Sequence, residues 1–201
     1  MTAQEAAPRV PKTPRSVGEA PAPIRIRRGL PPKSYRLLEV FPGFLDVPPF
    51  AEYPVNPRRR RSLAEGTAIQ VVAERGWMYV APLEPPPWAA TVGWTPFTSP
   101  TDCIVVSKRH LDRSPAITLY LDLLHEFYHI LQRDAGRELW DISRGYVDSP
   151  TEVEAYRFSV AEARRLGLSD AFLRKYLSVE WVSAKDHRRL LKNLAVPPAR
   201  R

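Results

Sequence analysis

Ser114-Pro115-Ala116-Ile117-Thr118-Leu119-Tyr120-Leu121-Asp122-Leu123-Leu124-His125-Glu126-Phe127-Tyr128-His129-Ile130-Leu131-Gln132-Arg133-Asp134 is the stretch from which the rest of the chain can be read. Ser114 suits an N-cap and Pro115 a first helical position, so a helix is predicted from there to about Asp134, ending before Gly136. On a helical wheel Ile117, Leu119, Tyr120, Leu123, Leu124, Phe127, Ile130 and Leu131 cover most of the circumference, which marks a buried helix. Its polar stripe is Thr118, Asp122, His125, Glu126, His129 and Arg133. Burial penalises a carboxylate and two imidazoles unless something pairs with them. The plainer alternative is a stripe that faces solvent on an amphipathic helix.

Within the stripe, His125-Glu126-Phe127-Tyr128-His129 reads His-Glu-x-x-His. Such a match arises by chance in roughly one of two hundred chains of this histidine content, so its context has to decide. Histidines four apart share a helix face, and both rings can reach one zinc ion. Glu126, between them, can take a proton from water beside the metal. A catalytic zinc takes three protein ligands and keeps a position open, so a third ligand is expected downstream. No cysteine follows, and His187 is the one later histidine.

Glu152 and Glu154, in Pro150-Thr151-Glu152-Val153-Glu154-Ala155-Tyr156, are the stronger candidates. At about 100° per residue Glu152 falls among Ala155, Tyr156, Ser159, Val160 and Ala163, the apolar side of its helix. Glu154 points the opposite way with Arg157, Ala161 and Arg165, as a surface or ion-pairing residue would. A lone carboxylate on an apolar face calls for a partner, and a metal supplies one. The expectation is one zinc per chain, held by His125, His129 and Glu152. A competing reading makes Ser149-x-x-Glu152 a capping box, which would leave the third position to Asp148, Glu154 or His187.

Working outward, strand-like runs precede the helix at Ala68–Ala73, Trp77–Ala81, Ala90–Trp94 and Cys103–Ser107, with Arg75-Gly76 suggesting a hairpin between the first two. From about Ser34 to Pro57 the prolines predict an irregular wrap with one short element near Tyr35–Val40. After the histidine helix, Ser149-Pro150 opens a helix to about Leu166, and shorter helices are expected at Asp170–Leu177 and Ala184–Leu194. Strands first and helices afterwards is an α+β order: a small antiparallel or mixed sheet followed by a helical half that carries the site.

His-Glu-x-x-His on one helix, followed by Glu-x-x-Ala at the start of the next (here Glu152 to Ala155), resembles the gluzincin zinc metallopeptidases. The wider layout is a strand at Ile104-Val105-Val106-Ser107, Thr118-Leu119 ahead of His125-Glu126, then Glu152-Val153-Glu154-Ala155-Tyr156-Arg157-Phe158. It resembles ImmA/IrrE-type metallopeptidases over roughly Ala68 to Leu166. Tyr128 stands where that family commonly has Gly, and Tyr156 where it commonly has Asn or Asp; neither change removes a ligand. The resemblance implies a minimal zincin-like domain with His125, His129 and Glu152 on zinc and Glu126 as general base. It also implies a metalloendopeptidase acting on a cytoplasmic protein target. By analogy with zincins, the strand Cys103, Ile104, Val105, Val106 and Ser107 would lie at the sheet edge and hold the peptide substrate by strand addition. Tyr156, Tyr146 and His187 are the candidates for stabilising an oxyanion.

The remaining composition sets limits. A hydrophobic share of 44% over 201 residues suffices for one domain with a core. Residues 1–35 hold seven of the 22 prolines and +5 of the chain's net +8. This predicts a disordered Pro-rich basic arm over 1–34, a domain over 35–196 and a basic tail over 197–201. The arm and Arg58 to Arg61 could meet nucleic acid or another acidic partner nonspecifically, and solvation is the plainer reading. A single cysteine, Cys103, excludes an internal disulfide and suits a reducing compartment. With no apolar run long enough for a leader or a span, no membrane association and a cytoplasmic location are expected. Two other functions stay open at this point: a noncatalytic zinc-stabilised interaction domain, and a nucleic-acid-associated protein that uses the basic arm.

Overall fold

Strong apolar patterns place the main elements in the computed structural model, which describes residues 22–47, 56–74, 76–140 and 143–199. In chain order these are β1 (Ser34–Arg36), α1 (Leu37–Val40), α2 (Pro57–Gly66), β2 (Ala68–Val72), β3 (Met78–Val80), β4 (Cys103–Ser107), α3 (Lys108–Arg113), α4 (Ala116–Asp134), α5 (Pro150–Arg165), α6 (Asp170–Tyr176) and α7 (Ala184–Asn193). The architecture is α+β, with one mixed four-stranded sheet followed by helices. No described helix is long and apolar enough to cross a membrane.

The sheet runs in the order β1-β2-β4-β3. β4 lies parallel to β2 in the register Ile69 to Ile104, and antiparallel to β3 in the register Tyr79 to Val105. The hairpin expected between β2 and β3 is therefore not formed, because β4 comes between them. All five residues of β4 are buried, as a continuous apolar run requires of a central strand, whereas β2 alternates half-buried and buried. The link from β2 to β3 instead passes the end of β4, where the Ser107 hydroxyl donates to the Gly76 carbonyl at 2.8 Å. Arg75, the other half of the expected turn, lies outside the described residues.

The expected strand at Ala90–Trp94 is also absent. Ala89–Val92 form a turn of 3-10 helix that ends on Gly93 at φ +67°, and Trp94 folds back to stack on Trp88 with ring centroids 5.4 Å apart. A positive φ breaks a strand, and Gly93 adopts it without a side-chain clash. Two helices were not foreseen. α2 starts from an Asn56 cap with Pro57 in its first turn, and α3 from a Ser107 cap.

One face of the sheet packs on the helices through Ile69, Val71, Met78, Val80, Ile104 and Val106. The opposite face carries a smaller cluster of Ala81, Cys103 and Val105. α4 buries thirteen residues between the sheet and α5. Beyond its last turn Gly136 takes φ +76°, and Arg137 N–H closes onto the Gln132 carbonyl at 2.9 Å.

The basic-arm boundary needs correction. Residues 1–21 lie outside the described residues, but from Ala22 onward the chain packs on the domain. Ile24 and Leu30 are buried, and Arg27 N–H donates to the Val40 carbonyl at 2.8 Å. The Arg28 guanidinium reaches the carbonyls of Leu111 and Ser114, and Gly29 N–H reaches the Asp112 carboxylate at 2.7 Å. These apolar residues follow no helix or strand period, so periodicity gives no sign of them, while prolines lighten the demand for backbone partners. At the other end Val196 is buried and the Pro197 carbonyl accepts from Arg174 at 2.9 Å; Arg200 and Arg201 of the expected basic tail lie outside the described residues. Leu30→Ala is expected to cost about 2 kcal/mol or more in urea unfolding. Deleting residues 1–33 should lower the thermal midpoint clearly, and an unchanged midpoint would return the whole segment to a solvated arm.

Candidate metal centre

The packing of α4 on α5 brings His125, His129 and Glu152 together. Four residues apart on α4, the two rings meet edge to face with centroids 4.7 Å apart and Nε2 atoms 3.0 Å apart. Glu152 enters from the first turn of α5, with Oε2 3.3 Å from His125 Nε2 and Oε1 3.5 Å from His129 Nε2. Among the described residues this is the one His, Cys, Asp and Glu group whose donor atoms all lie close enough to hold a metal, within 4.8 Å of one another.

These separations could hold a metal, and without one the two Nε2 atoms are at hydrogen-bond distance. Donors at zinc distances on a tetrahedron lie roughly 3.3–3.6 Å from each other, close to what is found. Glu152 Oε2 is buried with only His125 Nε2 beside it, at 3.3 Å and outside good hydrogen-bond geometry, so a cation placed among the three would serve it better. The capping-box alternative is not formed. Ser149 makes no side-chain cap, its hydroxyl lying 3.0 Å from that of Thr151, and Glu152 faces the histidines.

Glu126 is 9% exposed and stands beside the trio without joining it. Val80 N–H of β3 donates to its Oε2 at 3.0 Å, which leaves the other oxygen to handle a proton. Tyr156 packs on His125 at 4.2 Å between centroids, and its hydroxyl lies 2.8 Å from that of Tyr146. Two hydroxyls sharing one bond use one proton, so the pair keeps a second to donate elsewhere. Beyond Tyr146 the rings of Trp181 and Trp77 follow at 6.1 and 4.4 Å, an aromatic wall leading from His125 to the start of β3.

Comparison with protein-family models, curated proteins and solved structures finds no match for this chain.

Other expected participants lie elsewhere. His187 Nε2 is 3.1 Å from the Arg174 carbonyl, at the contact of α7 with α6, and takes no part in the cluster. Asp148 pairs with Arg189 of α7. Glu154 is half-exposed, as expected, but accepts from Gln132 Nε2 at 3.0 Å and lies 3.5 Å from Arg137. The expected substrate strand Cys103–Ser107 is β4, paired on both sides and buried, so no peptide can add to it. Among the described residues the unpaired edge beside α4 is β3. Two participants were not foreseen. Val80 contributes a backbone N–H, which no residue type betrays. Gln132, whose Oε1 lies 2.8 Å from His129 Nδ1, could have been found as an amide bordering the polar stripe, three residues past His129 and seven past His125.

The electrostatics of the metal-free cluster follow from burial. Burial opposes the charge on Glu152, yet His129 and His125 outweigh it and hold the carboxyl well below the usual range. Burial keeps His125 below its ordinary value and pushes Glu126 up to about 8 from 4.5. For His129 burial again opposes the charge, and Glu152 prevails, raising it to about 9 from 6.5. The folded values of Glu126 and His129 exceed the unfolded ones. The stability each contributes is thus complete below its unfolded value and disappears as pH rises through its folded value.

Chelator-treated protein is accordingly expected to lose stability in urea between about pH 6.5 and 9; a rise across that window would contradict the assignment. Loaded with zinc, the protein should hold close to one ion per chain by elemental analysis. His125→Ala, His129→Ala and Glu152→Ala should each lose most of it, and Glu154→Ala should retain it. Loss with Glu154→Ala alone would mean that the wrong carboxylate of α5 has been assigned.

Proposed function

We propose that this chain is a zinc-dependent endopeptidase with a zincin-like active site, of the gluzincin type its motifs resemble. The observation that carries the reading is the number and kind of groups that converge. Two imidazoles and one carboxylate lie at metal-ligand spacing, and a fourth group, the Glu126 carboxylate, stands beside them as a non-ligand. A structural zinc site is closed by four protein ligands, whereas a hydrolytic one has three and a neighbouring base.

His125, His129 and Glu152 would hold the ion, which supplies Lewis acidity to polarise a carbonyl and acidify water. Burial raises Glu126 in the metal-free cluster, and a cation held beside it would favour the ionised carboxylate, which would then accept the water proton and pass it to the leaving amine. Val80 N–H fixes the carboxylate by Oε2, so the proton travels on the other oxygen. Tyr156 and Tyr146 stay protonated, because burial and then the Glu152 charge raise both, and the proton left over from their shared bond can stabilise an oxyanion.

The substrate is an extended segment of a protein. Antiparallel alternation with β4, marked by Ser107 N–H to the Trp77 carbonyl and Ala81 N–H to the Cys103 carbonyl, turns Met78 N–H and the carbonyls of Met78 and Val80 toward the open edge, while Val80 N–H is taken by Glu126. A peptide pairing there passes Glu126 and meets the wall of Tyr146, Trp181 and Trp77, which favours a bulky apolar side chain.

Glu126→Gln tests the mechanism. The variant should keep its fold and its zinc, since Glu126 is not a ligand, while turnover falls by about two orders of magnitude or more. With no substrate known, the assay is N-terminal peptide mapping of a cell lysate incubated with either protein. New N-termini that appear with the wild type and vanish with zinc-loaded Glu126→Gln, with large apolar residues enriched at the cut, are expected. Equal cleavage by both would refute the role of Glu126. A zinc-loaded wild type that cuts nothing would favour a noncatalytic zinc domain.

A further inference from the structure

We infer that Gln132 is a positioning residue that fixes the ring chemistry of His129, so that Nε2 is the nitrogen presented to the metal; the role rests on the zinc reading above. Gln132 is 2% exposed and lies three residues beyond His129 on α4. Its Nε2 donates to the Thr151 carbonyl at 3.1 Å and to Glu154 Oε2 at 3.0 Å. A carbonyl and a carboxylate both accept, so the amide can sit only one way round, with its NH2 toward α5 and its oxygen toward His129. That oxygen cannot donate. The 2.8 Å contact with His129 Nδ1 therefore requires a proton on Nδ1, whatever the charge of the ring. In the neutral ring the lone pair is then on Nε2, the atom that faces His125 and Glu152.

His125 has no equivalent. Its Nδ1 is buried without a hydrogen-bond partner, and its ring is held by packing on Tyr156. His129 is thus the preset ligand, and the one whose support can be removed without touching a ligand. The same amide ties the first turn of α5, through the Thr151 carbonyl, to α4. Since Glu152 follows Thr151, Gln132 sets the relation of two ligands at once. Glu154 is the outer end of this relay, with Arg137 against its other oxygen at 3.5 Å.

The test uses the full-length protein, zinc competition against a chromophoric chelator, and nitrogen-15 detection of imidazole N–H protons. In the wild type a protected Nδ1 proton on His129 is expected both without metal and with zinc. Gln132→Leu should lose that protection and bind zinc about 10–100-fold more weakly. Gln132→Glu alone sets two carboxylates together and should also weaken binding. Adding Glu154→Gln restores a donor and an acceptor in exchanged places and should recover part of the affinity, which a packing defect would not.

Three results would overturn the inference. They are a wild type without a protected Nδ1 proton on His129, zinc binding by Gln132→Leu as tight as wild type, and no recovery in the exchanged pair. If the wild type takes up no zinc, the zinc reading and the metal role fall together. The relay is then judged by the Nδ1 proton alone: loss of its protection in Gln132→Leu upholds the hydrogen bond, and persistence refutes it.

Discussion

Setting the Glu152 carboxylate between His125 and His129 fixes how α4 and α5 pack, because three ionisable groups out of water tolerate little error in position. Farther along the same interface the helices are tied again. The Tyr120 hydroxyl donates to Glu162 at 2.8 Å, Glu162 is clasped by Arg165, and the Ser159 hydroxyl reaches the Leu121 carbonyl at 3.1 Å. Burial raises Tyr120, and Glu162 raises it further, so the phenol remains a donor. These polar ties bracket apolar packing and make the crossing rigid where the cluster sits. A cluster on a looser pair of helices would need the metal itself to bring its donors together.

The sheet contributes through its edge. β3 is three residues long, yet Val80 N–H holds Glu126 and the Ala81 carbonyl accepts from Arg133 at 3.1 Å. Arg133 also pairs with Asp102, just before β4. Edge, central strand and helix are in this way joined at both ends of the cluster. Under the proposed function, an edge that carries both the tie to Glu126 and outward-facing backbone groups would place a peptide relative to that carboxylate without any side chain acting as intermediary.

The legibility of the chain followed the range of the interactions involved. α4 and α5 were readable because their caps, period and apolar faces are local properties, and the meeting of His125, His129 and Glu152 could be expected from helical phase alone. β4 was placed to the residue for the same reason, but its position in the sheet was not. Strand order depends on which edge a third strand takes, and the Arg75-Gly76 turn signal says nothing about insertion between its neighbours. Ile24 and Leu30 were missed because each fills a gap in a surface made by distant segments. Gln132 lies on the border of the polar stripe, about 20° from His125 at 100° per residue, and its partners on α5 are what the wheel does not show.

That stripe explains why a helix that is apolar almost all round nevertheless has one orientation. Apolar packing alone leaves the rotation of α4 poorly determined, since Leu, Ile, Tyr and Phe occupy most of its circumference and many rotations bury similar area. The polar residues from Asp122 to Arg133 remove the ambiguity because they find partners on several other elements. Asp122 meets His110 of α3 at 2.8 Å, His125 and His129 meet Glu152 of α5, Glu126 meets β3, and Arg133 meets Asp102. His110 is itself held by Ser114 at 2.9 Å, so the start of α4 is fixed to the end of α3 before the helix enters the core. A turn of α4 by one residue, about 100°, would leave several of these groups buried and unpaired, each costing about 1–3 kcal/mol or more. The groups that could hold a metal and move a proton are, on this view, also part of what selects the native rotation of the helix that carries them.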